Sequence, residues 1–178
     1  MIIREALESD LPAVLDVNRL AFGEDDEAAL VQDILGDSSA EPTLSLIAFD
    51  GERPVGHILF SRARLSEPDG RKPFAILAPL GVVPDAQRQG IGGRLIESGL
   101  AQLTKSGVDL VFVLGYPDYY QRHGFQPAGR QGLNAPYPIP DEHADAWMVQ
   151  GLREGAVYTA SGRVVCCDAL DRPELWRE

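Results

Sequence analysis

Cysteine is scarce in this chain of 178 residues, and no apolar run is long enough to cross a bilayer. The two cysteines, Cys166 and Cys167, are adjacent. In a strand they would point to opposite faces, so a disulfide between them would be strained; they read as small strand residues in a reducing compartment. Neither has a histidine or further cysteine at metal-ligand spacing, and no metal site is expected. Positive charge is also short: 16 Lys and Arg stand against 27 Asp and Glu, a formal net charge of −11. Such a chain repels a phosphate backbone, so a nucleic-acid partner is not expected. The opening Met1-Ile2-Ile3-Arg4-Glu5 is patterned as a strand and lacks the layout of a secretion signal, which makes the cytoplasm the expected location and no membrane the expected partner. Repeats and low-complexity segments are missing too. The expectation is one domain over residues 1–178, of which about 126–178 form a covering loop and closing strands.

Two phosphate-binding signatures are absent. No Gly-Lys-Ser or Gly-Lys-Thr exists for a P-loop, and the third glycine of a dinucleotide fingerprint is replaced by Leu95.

What is present alternates between strand and helix patterns. Residues 2–5 read as a strand. Ser9 or Asp10 caps a helix with Pro12 in its first turn, Leu11, Val14, Leu15, Ala21 and Phe22 on its apolar face, and Gly23 as its stop. The acids Glu24, Asp25, Asp26 and Glu27 open a second helix, with Leu30, Val31, Ile34 and Leu35 on one side and Gly36 at its end. Three antiparallel strands follow, at about 43–49, 55–65 and 74–83, joined by hairpin signals at Asp50-Gly51 and Pro68-Asp69-Gly70. Pro79 cannot donate to a ladder, so a bulge or splayed edge is expected there. Alternation puts His57 and Ser61 on one face of their strand, with Val55 and Leu59.

From Gly90 the period becomes helical, with Gly92, Leu95, Ile96, Gly99, Leu100 and Leu103 on one face and two glycines for close approach to a sheet. A buried strand at 110–114 should run parallel to the strand before the helix. Pro117 and Gly124 bracket a short helix. Residues 147–152 and 157–167 read as closing strands.

The stretch between strand and helix carries the chemistry. A helix whose first N–H groups are left exposed by small residues attracts an anion, because those donors have no partner and the helix dipole is positive there. Its pattern, Val82-x-Pro84-x-x-Gln87-x-x-Gly90-x-Gly92, resembles the acyl-CoA motif of the GNAT acetyltransferase superfamily, and Tyr120-x-x-x-Gly124-Phe125 resembles that superfamily's motif after the fifth strand. Gly56-His57-Ile58-Leu59-Phe60-Ser61, Ala78-Pro79-Leu80 and Val113-Leu114-Gly115 are similar to the bacterial YhbS-like subgroup.

The resemblance implies an α/β fold with a mixed, mostly antiparallel twisted sheet, splayed at its central strands and flanked by helices. It implies acetyl-CoA as acyl donor and a primary amine, of a small molecule or a protein, as acceptor. The backbone N–H groups of Arg88, Gln89, Gly90, Ile91, Gly92 and Gly93 would hold the cofactor's pyrophosphate, with Arg88 and Arg94 adding charge-assisted bonds, and Gln87 of the same motif would belong to the cofactor site. Leu80, Gly81, Val82 and Val83 would pair with the pantetheine amides. Tyr120 holds the family's general-acid position, with Tyr119 about 100° round the same helix; which of the two enters the gap is left open. The strand at 74–83 lacks the glutamate that many relatives use as a base. His57 is the candidate proton relay, and the acids at 24–27 could line the acceptor pocket. Two departures from the subgroup, Tyr116 before Pro117 and His123 before Gly124, lie beside the expected cleft. A non-catalytic acyl-CoA-binding module and an enzyme for a longer acyl-CoA are the alternative readings. The covering loop and closing strands could bury a homodimer face.

Overall fold

The computed structural model describes residues 1–66 and 72–177; the Pro68-Asp69-Gly70 turn lies outside them. In chain order come β1 (Ile2–Glu5), α1 (Leu11–Phe22), α2 (Asp26–Leu35), β2 (Leu44–Asp50), β3 (Arg53–Leu65), β4 (Phe74–Val82), α3 (Ile91–Lys105), β5 (Leu110–Leu114), α4 (Pro117–Gln121), β6 (Gln126–Pro127), β7 (Leu133–Asn134), β8 (Trp147–Gly151) and β9 (Gly162–Val165). Among the described residues nine strands form one sheet, in the order β1-β2-β3-β4-β5-β8-β6, with β9 pairing the far end of β3 and also β7. Among the described residues only β4–β5 and β7–β9 are parallel. A parallel pair needs a crossover, and α3 supplies it.

Period-two alternation divides the core into two layers. Ile76, Phe112 and Val149 are cross-strand neighbours facing Val14 of α1 and Val31 and Ile34 of α2. One residue on, Leu77, Val113 and Met148 are neighbours on the opposite face, with Leu95 and Ile96 of α3. Each strand in the middle of the sheet is therefore apolar on both sides, as burial between helices demands.

The structure departs from the expected pattern at several places. Asp10 does not cap α1; its carboxylate accepts from the Leu7 N–H at 2.7 Å and pairs with Arg4 at 2.7 Å, which holds it down to about 2. The buried residues of α1 are Val14, Val17 and Asn18, while Phe22 is 39% exposed. Helix α2 buries Ala28, Val31 and Ile34 and leaves Leu35 exposed. Val55 joins the α3 layer and Leu59 the α1 layer. The cause is a bulge: pairing passes from Ala48–Gly56 to Phe49–Pro54, so Val55 is an extra residue that shifts the alternation. Residues 156–158 form a 3-10 turn after the left-handed Gly155, so the last strand begins only at Gly162. Cys166 and Cys167 are both free, and burial pushes the Cys166 thiol up to about 12.

Candidate active site

Beyond β4 the chain makes a 3-10 turn over Pro84–Ala86 and enters α3 through Gly90. Side chains brace this turn from within: Gln87 Nε2 donates to the Val82 carbonyl at 2.9 Å, and Gln89 Nε2 to the Asp85 carbonyl at 3.4 Å. The Gln87 backbone N–H is also engaged, with the Pro84 carbonyl at 3.4 Å, so its main chain shapes the loop. From Arg88 to Gly93, by contrast, no backbone N–H donates to a backbone carbonyl among the described residues; the first bond of the helix is Arg94 N–H to Gly90 O, at 3.1 Å. Arg88 has φ of 63° and Gly90 φ of 81°. Two left-handed residues so close together turn consecutive N–H groups to one side, the arrangement that cradles anions. The side chains of Arg88 and Arg94 are exposed at the same turn.

A gap in the sheet lies directly before this turn. β4 pairs with β5 only from Phe74–Leu110 to Leu77–Val113. At that point β4 slips against β3, passing from Phe60–Leu77 to Ile58–Leu80, so that Ala78 and Pro79 together oppose the single residue Leu59. This is the irregularity expected at Pro79. Past it, Leu80, Gly81 and Val82 keep their β3 partners and have no β5 partner, leaving a free strand edge. The Val83 N–H is already committed to the Val55 carbonyl, at 2.9 Å.

Helix α4 closes the α3 side of the gap. Gly99 makes room for the Phe60 ring of the sheet, as expected, but Gly92 faces the Tyr119 hydroxyl and Gly93 the His123 imidazole, which a side chain on Gly93 would meet at 2.8 Å. The glycine pair at the helix start is therefore what seats α4 on it. Tyr119 and Tyr120 meet edge to face at 5.0 Å. Tyr120 is 9% exposed, packed on Gly115 at the end of β5 and edge-on to Phe125 at 5.7 Å. Both rings thus border the gap, Tyr119 at the end next to the first turn of α3 and Tyr120 at the β5 end. Burial raises both phenols above their ordinary value, Tyr120 more strongly, so each is a proton donor at neutral pH. Among the described residues neither hydroxyl has a protein hydrogen-bond partner.

On the α1 side lies a polar chain that strand patterning did not reveal. Asn18 Nδ2 donates to the Val14 carbonyl at 2.9 Å and stands 3.1 Å from His57 Nδ1; His57 Nε2 stands 2.9 Å from Ser45 Oγ. The Val14 carbonyl can only accept, so the amide nitrogen must face it, and its second hydrogen points at Nδ1. His57 is then the Nε2–H tautomer, donating to Ser45. It is fully buried, and desolvation lowers its pKa to about 4. Both ring nitrogens are occupied, which leaves no lone pair for the expected proton relay. Asn18 could have been suspected from its place on the apolar stripe of α1, four residues after Val14 and three before Ala21. Ser61 lies further along β3, level with Ile76 and beside Cys167, not at the gap. Of the acids after α1, Asp25 pairs with Arg19 at 3.2 Å.

A shallow depression of about 360 Å³ over β6 and β8, lined by Gln126, Gln150 and Arg153 among others, includes no residue of the turn or of β4. No group of His, Cys, Asp and Glu among the described residues is placed to hold a metal ion.

Comparison with known proteins agrees with this geometry. The family model described as "Acetyltransferase (GNAT) domain" matches residues 2–128. The uncharacterized N-acetyltransferase YjhQ of Escherichia coli K12 is 46% identical over 162 residues, covering 90% of this chain and 89% of its own length. The crystal structure of the GNAT family N-acetyltransferase YhbS from Escherichia coli in complex with CoA superposes with a TM-score of 0.86 at 30% identity, covering 96% of this chain and 92% of that one. A GNAT acetyltransferase from Brucella melitensis in complex with acetyl-CoA gives 0.76 at 27% identity, covering 96% and 97%. The chain belongs to the GNAT family of N-acetyltransferases, in the neighbourhood of YhbS and YjhQ.

Proposed function

We propose that this protein transfers the acetyl group of acetyl-CoA directly to a primary amine of a small molecule or a protein. The observation that carries the reading is the junction of a free strand edge at Leu80, Gly81 and Val82 with a run of unpaired N–H groups from Arg88 to Gly93. One ligand that is anionic at one end and amide-bearing along its length satisfies both. The N–H groups, with Arg88 and Arg94, hold the pyrophosphate. The pantetheine amides add to the β4 edge as an extra strand would, and the thioester comes to rest between β4 and β5.

The acceptor attacks as the neutral amine. A C–N bond forms, the C–S bond breaks, and the departing thiolate takes the phenolic proton of Tyr120; the new ammonium sheds a proton to solvent, and Tyr120 regains one from solvent as the products leave. His57 serves as a brace, since its nitrogens are taken. The structures of YhbS with CoA and of the Brucella protein with acetyl-CoA support the choice of donor.

The test is thiol release from acetyl-CoA against a panel of amines, with calorimetric binding of acetyl-CoA alongside. The wild type should release thiol in an acceptor-dependent manner. Tyr120→Phe should bind acetyl-CoA unchanged and lose about 100-fold in kcat. Binding without thiol release from any acceptor would favour the non-catalytic module, and a fully active Tyr120→Phe would remove Tyr120 from the acid role.

A further inference from the structure

We infer that Asn18 receives the acceptor amine: its side-chain carbonyl accepts an N–H of the incoming amine and holds the nitrogen on the α1 side of the gap. The inference rests on the transferase reading above. Asn18 is fully buried, and among the described residues its Oδ1 has no hydrogen-bond partner, while the Nδ2 of the same amide is doubly engaged. Buried acceptors are ordinarily satisfied, and one that is not asks for a reason. The amide cannot rotate to relieve it, because the Val14 carbonyl can only accept and requires the nitrogen where it stands. The Asn18–His57–Ser45 chain therefore holds a vacant lone pair in a fixed direction.

That direction bears on the reaction. A side chain on Gly81 would meet Asn18 Oδ1 at 3.4 Å, Phe22 Cε2 at 3.2 Å and Ala21 Cβ at 3.0 Å. Oδ1 thus lies over the α1 face of Gly81, in the part of β4 that has lost its β5 partner. Tyr119 and Tyr120 border the opposite, α3 face. An acyl group lying in the gap would have its proton donor on one face and Asn18 on the other, the side from which a nucleophile can approach while the thiolate is protonated. Phe22 reaches from the same glycine to solvent. Rotation of this partly exposed ring opens the route to Oδ1, and the ring and Ala21 give the amine's stem an apolar wall. A primary amine on an apolar stem fits these three groups.

The experiment has two arms. In the first, wild-type protein with its Asn18 side chain assigned by NMR is loaded with CoA, and n-butylamine, 1,4-diaminobutane and a lysine-containing peptide are titrated in. At least one should move the Asn18 carboxamide carbon; if none does, the inference is wrong. In the second, Asn18→Leu is compared with wild type using that amine. The KM for the amine should rise by about tenfold or more, with the KM for acetyl-CoA within about twofold. A merely structural role would shift both constants together or neither, and either result overturns the inference. Failure of the wild type to load with CoA, seen before any amine is added, would instead overturn the transferase reading beneath it.

Discussion

Single side chains in this protein change character with their surroundings, and His57 is the clearest instance. An imidazole titrates near pH 6.5 when solvated, but here burial lowers its pKa to about 4. The unfolded chain therefore binds a proton that the folded one refuses throughout the interval between those values. The stabilisation is fully present above pH 6.5 and is lost as pH falls toward 4. Between pH 7 and pH 5 this group alone should remove about 2 kcal/mol of folding stability. Urea denaturation at the two pH values measures it, and His57→Gln should flatten that part of the profile. Asp10, held at about 2 by Arg4, loses its contribution only below its ordinary value of 3.8, so the two windows do not overlap. An unchanged pH profile in His57→Gln would mean that the ring is protonated inside the fold.

At the scale of elements, the site depends on irregularities in regular structure. The slip at Ala78 and Pro79 frees the edge of β4, the bulge at Val55 shifts one strand's alternation, and Gly92 and Gly93 let α4 sit on the first turn of α3. The C-terminal segment is tied down more conventionally. The Asp37 carboxylate accepts from Ser39 N–H at 2.8 Å, Ser39 Oγ at 2.7 Å and Ala169 N–H at 2.9 Å, while Ser39 Oγ accepts from Asp168 N–H at 2.8 Å. These bonds hold Asp37 below the usual carboxylate range. They dock the segment carrying Trp176, whose indole donates to Leu170 O at 2.9 Å and meets Trp147 at 5.5 Å. Asp37→Ala should cost about 1–3 kcal/mol by leaving those donors unpaired, and tryptophan emission should shift to the red as the segment opens. If stability and emission stay as in the wild type, the tie is incidental.

For the molecule as a whole, a sheet open between β4 and β5 is a sheet that a ligand can complete. A ligand that binds only the folded state at 100 times its dissociation constant adds about 2.7 kcal/mol. In a chain of this size that corresponds to a rise in Tm of about 5–10 °C. Differential scanning fluorimetry with saturating acetyl-CoA should give this rise, and acetate at the same concentration should not. A flat response to acetyl-CoA would show that the gap and the turn do not act together as one binding site. The net charge of −11 gives the local positive groups at the turn added weight, because an anionic ligand must be drawn to a molecule whose average field repels it.

Residue order alone determined the alternation of strands and helices, the parallel pair implied by the crossover at α3, the break at Pro79 and the glycine turn that opens α3. These are local consequences: period sets an apolar face, proline lacks a donor, and the first turn of any helix has N–H groups that its own backbone cannot satisfy. Only the tertiary structure decided which face Val55 takes, since a bulge is a relation between two strands. The same holds for Tyr119 and Tyr120, whose positions depend on space left by Gly92 and Gly115 on other elements. His57 was legible as a polar residue in a strand, but its role was not. Its partners are Asn18, 39 positions away, and Ser45, 12 away, and whether a buried imidazole relays a proton or braces a fold depends on which neighbours occupy its two nitrogens.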